Sequence, residues 1–337
     1  MTTHRERVRA CLRGTILDRP PVALWRHFPV DDQSAEALAE AHLAFQRTYD
    51  FDIVKVTPAS SFSVRDWGVE DRWEGNVEGT RTYSKRVVHD PMDWVRLPLL
   101  GPDAPHLARQ LGCLRLIRSR LEPDTPVLQT VFNPLAQAKH LAGEEILLDH
   151  LRTHPEQVQR GLETIAETTR IFIQEAANTG IDGIFYAVQH AQAHLLDRQS
   201  FIGFSRGADV MLLESAADLW CNLLHVHGEA IYFDAVSDYP AQIINWHDRD
   251  TDPSMTEACG LWPGALCGGL RRSSLVFGAA KDVEREASEI LSTPARSRLI
   301  LSTGCVVPIV APHGNILAAI RGAQASAVGP VGDQGTE

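Results

Sequence analysis

The chain has 337 residues, 44% of them hydrophobic, and its 43 acidic side chains outnumber 32 Lys and Arg for a net charge of −11. This is the balance of a soluble globular protein, and it works against nucleic acid or an anionic membrane as partner, because both need clustered cations to displace counterions. No apolar run reaches the roughly 18 residues of a membrane span, and the opening through Arg5, Arg7, Arg9 and Arg13 lacks the apolar stretch of a secretory signal, so a cytoplasmic protein is expected.

In chain order, short β-branched runs predict strands over residues 21–28, 52–57, 126–132, 183–188, 222–228, 242–247, 264–270 and 299–304. Between them, amphipathic stretches predict helices over 35–49, 155–178, 207–220, 281–291 and 314–323. The second of these is the clearest: Val158, Leu162, Ile165, Phe172 and Ala176 recur on one face, with Pro155 suited to the first turn and Gly180 to the end. Eight strands with crossovers long enough for parallel return predict an α/β fold, a single (β/α)₈ TIM-type barrel over residues 1–325. Residues 67–88, with Trp73, Glu74, Tyr83 and alternating charges, predict a β-hairpin inserted after the second strand, placed to act as a lid. Residues 326–337, rich in glycine and small side chains, predict a flexible C-terminal tail.

In such a barrel the chemistry belongs at the C-terminal ends of the strands. The fifth strand ends Leu224-His225-Val226-His227-Gly228, and a period of two turns both imidazoles to one side. The eighth ends Ser302-Thr303-Gly304-Cys305. The six cysteines are dispersed, as reduced thiols are, with no Cys-x-x-Cys pair; Cys305 is the one whose place at a strand end gives it a second reading. Two imidazoles and a thiolate suit Zn²⁺ and leave a fourth position for water or substrate. A metal so held keeps a thiol as thiolate, or lowers the pKa of bound water. The alternative is that the histidines bond to carbonyls and Cys305 packs.

Other strand ends add Arg26 and His27, then Gln189 and His190, then Trp246, His247, Asp248 and Arg249, then Arg271 and Arg272. Arg26 and Arg271 can hold an anion bidentately or pair with a neighbouring acid. His27, Gln189 and Trp246 complete the expected substrate pocket. His247, Asp248, Glu229 and His190 are the candidates for acid/base work or for supporting a ligand histidine.

The opening Arg5-Glu6-Arg7-Val8-Arg9-Ala10-Cys11-Leu12, the Asp18-Arg19-Pro20-Pro21-Val22 that follows, the His-x-His strand, and Ser302-Thr303-Gly304-Cys305 with Pro312-His313-Gly314-Asn315-Ile316 together resemble the uroporphyrinogen decarboxylase superfamily over nearly the whole chain. The resemblance implies a (β/α)₈ barrel with its site at the C-terminal mouth. The decarboxylase's Met-Arg-Gln-Ala-Gly-Arg-Tyr motif falls on Trp25 to Asp31, where Arg26 matches the first arginine and Val30 replaces the second. Its Phe-Ser-Asp aspartate has no counterpart among Val56 to Ala59, and its late histidine falls on Cys305. The methylcobalamin:coenzyme M methyltransferase branch looks closer, since its zinc-binding His-x-Cys and Gly-Cys correspond to His225, His227 and Cys305. That likeness implies a zinc-dependent methyl or alkyl transfer to a thiol or similar nucleophile, a corrinoid or other methyl donor, and possible corrinoid-protein and homodimer partners. The alternatives are a decarboxylase or lyase acting on an anionic small molecule, a hydrolase using metal-activated water, and a non-catalytic corrinoid- or tetrapyrrole-binding barrel.

Overall fold

The computed structural model describes residues 2–326, so the tail expected over 326–337 lies, apart from Ser326, outside the described residues. In chain order the strands are β1 (Val54–Val56), β2 (Glu70–Arg72), β3 (Thr82–Lys85), β4 (Val127–Phe132), β5 (Gly183–Val188), β6 (Leu223–Val226), β7 (Ile243–Trp246), β8 (Ala265–Leu270) and β9 (Leu299–Thr303). Seven of them form one parallel sheet in the order β1, β4, β5, β6, β7, β8, β9, buried along their whole length because helices cover the outer face. The remaining two, β2 and β3, pair antiparallel with Asp71 opposite Tyr83 and Arg72 opposite Thr82. They are the hairpin expected after the second strand position.

The expected first strand occupies its place in the ring without forming a regular ladder. Val22 makes a single parallel bridge to Leu301. The Ala23 N–H donates to Leu301 O at 3.0 Å, and on the other side the Asp52 N–H donates to Val22 O at 2.8 Å. Pro20 and Pro21 have no N–H to give, which cuts the pairing short. The ring therefore closes, and the fold is the (β/α)₈ type with one stave reduced to a bridge.

Beneath that stave, Asp52 is completely buried and accepts from Arg7 Nη1 and Arg19 Nη1, each at 2.6 Å, and from the Val22 N–H at 2.7 Å. The arginine-rich opening and the Asp-Arg-Pro-Pro run thus lock the N-terminal end of the barrel, far along the strands from its mouth.

Of the expected crossovers, Ala35–Tyr49, Pro155–Ala177, Ala280–Leu291 and His313–Ala325 form within a residue or two of their expected ends. The stretch expected over 207–220 is helical only through Gly207–Glu214, preceded by the π-turn Ile202–Arg206. Helix Pro105–Arg120, which returns the chain from the hairpin to β4 and packs on Ala35–Tyr49, was not expected: Arg109, Gly112 and Arg115 break its apolar rhythm. No helix among the described residues is long and apolar enough to cross a membrane.

Candidate metal centre

β6 delivers His225 into the barrel, where its ring stacks on Phe185 with centroids 5.1 Å apart. His227 lies one step past the strand, on the same side. The chain then turns sharply at Gly228, whose φ is +99°, a left-handed conformation that favours glycine. At the end of β9, a Cβ on Gly304 would lie 2.6 Å from both His247 Cα and the Trp246 carbonyl oxygen. The absence of that atom lets Cys305 approach the loop after β7.

The result is a cluster of His225, His227, His247 and Cys305, with one ligand atom of each within 4.8 Å of all the others. His227 Nδ1 lies 3.3 Å from His247 Nε2 and 3.8 Å from Cys305 Sγ. Zinc bond lengths in a tetrahedron put two nitrogens about 3.3 Å apart and a nitrogen and sulfur about 3.6 Å apart, so these donors already stand near the spacing the ion needs.

The tautomer of His225 is also set. Its Nδ1–H donates to Asn245 Oδ1 at 2.6 Å, and Asn245 is held in that orientation because its Nδ2 donates to the carbonyls of Cys267 and Thr303 at 2.8 and 3.0 Å. Nε2 of His225 is left free as a ligand, the usual way a neighbour tunes a metal-binding histidine.

Burial pushes the Cys305 thiol up, but its hydrogen bonds with His225, His227 and His247 outweigh this and hold it well below the ordinary thiol range. Burial works against charge on His227 too, yet its bond with Cys305 raises it. The donor set, the spacing and the thiolate all fit a zinc ion.

The remaining expected residues divide. His190 is fully buried beside His227, with no partner on either ring nitrogen, and burial lowers it to about 3. His27 is also buried and inward, lowered to about 3 by the same cause. Gln189 is half-buried and gives its carbonyl to Gln192.

Arg26 points the other way from His27, as neighbours in extended chain do: its guanidinium lies over the rings of Phe28 and Phe45, 5.1 and 5.2 Å from their centroids, and donates to Ile309 O. Arg271, half exposed, pairs with Glu286 and donates to Arg249 O. Trp246 is fully buried in the outer packing, donating to Pro253 O at 2.9 Å and set edge-on to Phe233. Asp248, raised to about 7 by burial, accepts from the Gly269 N–H and braces the loop that carries His247. Glu229 is exposed and stands outside the cluster. Strand parity turns Arg26 and Trp246 away from the cluster, and local partners or solvent hold Arg271, Asp248 and Glu229.

Sequence reasoning named His247 without placing it among the donors, and it missed two further contributors. His247 stands among the donors rather than as a separate acid or base. Asn245 orients His225 from the neighbouring strand. Glu78 of the hairpin pairs with Arg272, whose Nε donates to Val306 O at 3.0 Å, while Ile309 N–H donates to Val77 O at 2.8 Å. The hairpin thereby fastens across the mouth.

Two solved structures share this architecture. The "methyltransferase from Methanosarcina mazei" superposes with a TM-score of 0.85 at 17% identity, over 96% of this chain and 99% of its own. A B12-independent methionine synthase from Shewanella sp. W3-18-1, in complex with selenomethionine, gives a TM-score of 0.55 at 14% identity, over 93% and 96%. At these identities the likeness is one of fold. No curated protein matches the chain by sequence. The uroporphyrinogen decarboxylase (URO-D) family, however, matches residues 3–325, and the chain belongs to that family.

Proposed function

We propose that this barrel is a zinc-dependent methyl or alkyl transferase that acts on a thiol or similarly soft nucleophile. One observation carries the reading: imidazoles of His225, His227 and His247 converge with the Cys305 thiol, one ligand atom of each within 4.8 Å of the others and two of the pairs at 3.3 and 3.8 Å, at the end of the barrel where such folds keep their chemistry. Zinc, when bound, supplies a Lewis acid that brings a thiol or water to its ionised form near neutral pH.

His225 lies on β6, His227 and His247 each directly follow a strand, and Cys305 comes two residues after β9. His225, His227 and Cys305 would retain the ion, with His247 beside them as a fourth donor or as the place substrate takes. His190, neutral and without partners, offers a hydrogen bond to whatever lies beside His227, and the fastened hairpin keeps bulk water out. The methyl donor, a corrinoid free or carried by a protein, meets the acceptor at the mouth. There the thiolate sulfur would form the new bond to carbon as the donor's bond to that carbon breaks, its electron pair leaving with the donor, the thiol proton having passed to solvent on binding.

A decarboxylase reading leans on Arg26, His247 and Arg271; the two arginines are engaged elsewhere, and His247 stands among the possible metal donors. The test is thiol-dependent loss of methylcobalamin absorbance with zinc-loaded protein. We expect turnover that disappears on chelation and in Cys305→Ala. Turnover that persists without metal, or in that variant, would overturn the proposal.

A further inference from the structure

The hairpin meets the rim of the barrel through a second contact, on its inner face. Pairing within it slips between Glu70, which faces Lys85, and Asp71, which faces Tyr83, and a bulge of this kind re-aims the side chain beside it. The Asp71 carboxyl ends fully covered. Across from it stands Asp32, in the turn Asp31–Gln33 that follows the first stave, its carboxyl equally covered. Arg81 of the hairpin lies between the two, itself almost wholly covered. Its Nη2 donates to Asp32 Oδ1 and, at 2.6 Å, to the Pro29 carbonyl, while its Nε stands 3.5 Å from Asp71 Oδ1.

Two buried carboxylates thus share one guanidinium, and the charged groups around them do not make up the difference. Arg109 of helix Pro105–Arg120 and Arg65 of the turn Arg65–Trp67 donate to Gln33, to its carbonyl at 3.0 Å and its Oε1 at 3.5 Å. Asp66 is taken by His106 at 2.7 Å, Arg86 lies over the Tyr83 ring, and Asp31 brings a further negative charge. Among the described residues, Asp32 Oδ2 and both oxygens of Asp71 have no hydrogen-bond partner. Ionised together, the two carboxylates bury an uncompensated charge, which costs several kcal/mol. One proton shared between them removes that charge. In keeping with this, burial raises Asp32 against the pull of Arg81, and Asp71 adds to the rise.

We infer that Asp32, Asp71 and Arg81 form a proton-dependent latch, which holds the hairpin closed over the barrel mouth in acid and loosens it as the solution becomes alkaline. In an open hairpin both carboxylates reach water and return to the ordinary carboxylate range, so the closed form keeps a proton that the open form releases. Closure is therefore favoured most at and below that ordinary range and is lost as the pH rises through the raised value of the closed pair. The latch consists of hairpin and stave residues alone, so it stands whether or not the cluster at the mouth holds zinc.

Hydrogen–deuterium exchange of the full chain between pH 4.5 and pH 8, corrected for the chemical exchange rate, tests this. In wild type the opening of residues 69–85 should increase by about tenfold or more across that range, because release of one proton changes an equilibrium tenfold per pH unit. Strands β4 and β5 should not follow. In Asp71→Asn the profile should flatten and the hairpin should be as protected at pH 8 as wild type is at pH 4.5, since Asp32 and Arg81 then balance. Asp32→Asn serves if that variant does not fold. A flat wild-type profile, or a profile that survives both substitutions, would overturn the inference. So would β4 and β5 opening in step with the hairpin, which marks global unfolding. An Asp71→Asn hairpin looser than wild type at pH 8 would equally contradict it, because Arg81 would then be balancing two ionised carboxylates.

Discussion

Asn245 shows how much a single side chain outside the ligand set can decide. It contributes no donor to a metal, yet its amide oxygen fixes which nitrogen of His225 carries the proton. Replacing Asn245 with Ala should lower zinc affinity by about tenfold to a hundredfold, the usual effect of removing a neighbour that orients a ligand, in a chelator-competition titration. An unchanged affinity would mean that the strand alone aligns the ring. Arg26 makes the opposite case, since its charge is spent on the Phe28 and Phe45 rings. Arg26→Ala should cost about 0.5–2 kcal/mol of stability through lost cation–π packing and leave the affinity for 3-mercaptopropionate where it was. A weakened affinity would return Arg26 to the pocket.

At the scale of elements, the hairpin of β2 and β3 is tied down by Glu78 to Arg272 and by the Val77 carbonyl. Such edge attachments open locally at lower cost than the core. Arg272→Ala should therefore speed alkylation of Cys305 by iodoacetamide several-fold in metal-free protein, followed by peptide mass spectrometry; Cys11, Cys113, Cys221 and Cys267 are buried in the core and should stay slow. Equal rates would show that the hairpin is no lid. The crossovers, the hairpin and the His-x-His were legible in the sequence because each is local: periodicity, proline placement and strand parity need only neighbours along the chain. What was not legible is parity across the ring. The two-residue period places His27 inward and Arg26 outward, but only once the stave's register is known, and Val22 holds that register through one bridge to Leu301. Likewise Asn245 faces His225 because β6 and β7 pair in that register.

Over the molecule as a whole, two carboxylates brace the barrel, Asp52 at the N-terminal end and Asp209 on the flank. Asp209 is fully buried and accepts from Asn133, Ser205, Tyr186 and Tyr239 at 3.2, 2.7, 2.8 and 3.1 Å. Burial raises it to about 6 from the ordinary 3.8. Between those values the folded chain holds a proton that the unfolded chain has released, so this contribution to stability is complete below pH 3.8 and is lost as the pH rises through 6. The stability advantage of wild type over Asp209→Asn, from urea unfolding, should shrink by about 2–3 kcal/mol between pH 4 and pH 7; an advantage that grows with pH would mean that the four donors outweigh burial. The central claim, that His225, His227 and Cys305 hold zinc, is tested most directly by metal stoichiometry from mass spectrometry on tag-free protein. The account predicts about one zinc per chain in wild type and loss of that zinc in folded His227→Ala and Cys305→Ala. Wild-type protein that stays free of metal after zinc loading, or variants that keep it, would contradict the claim.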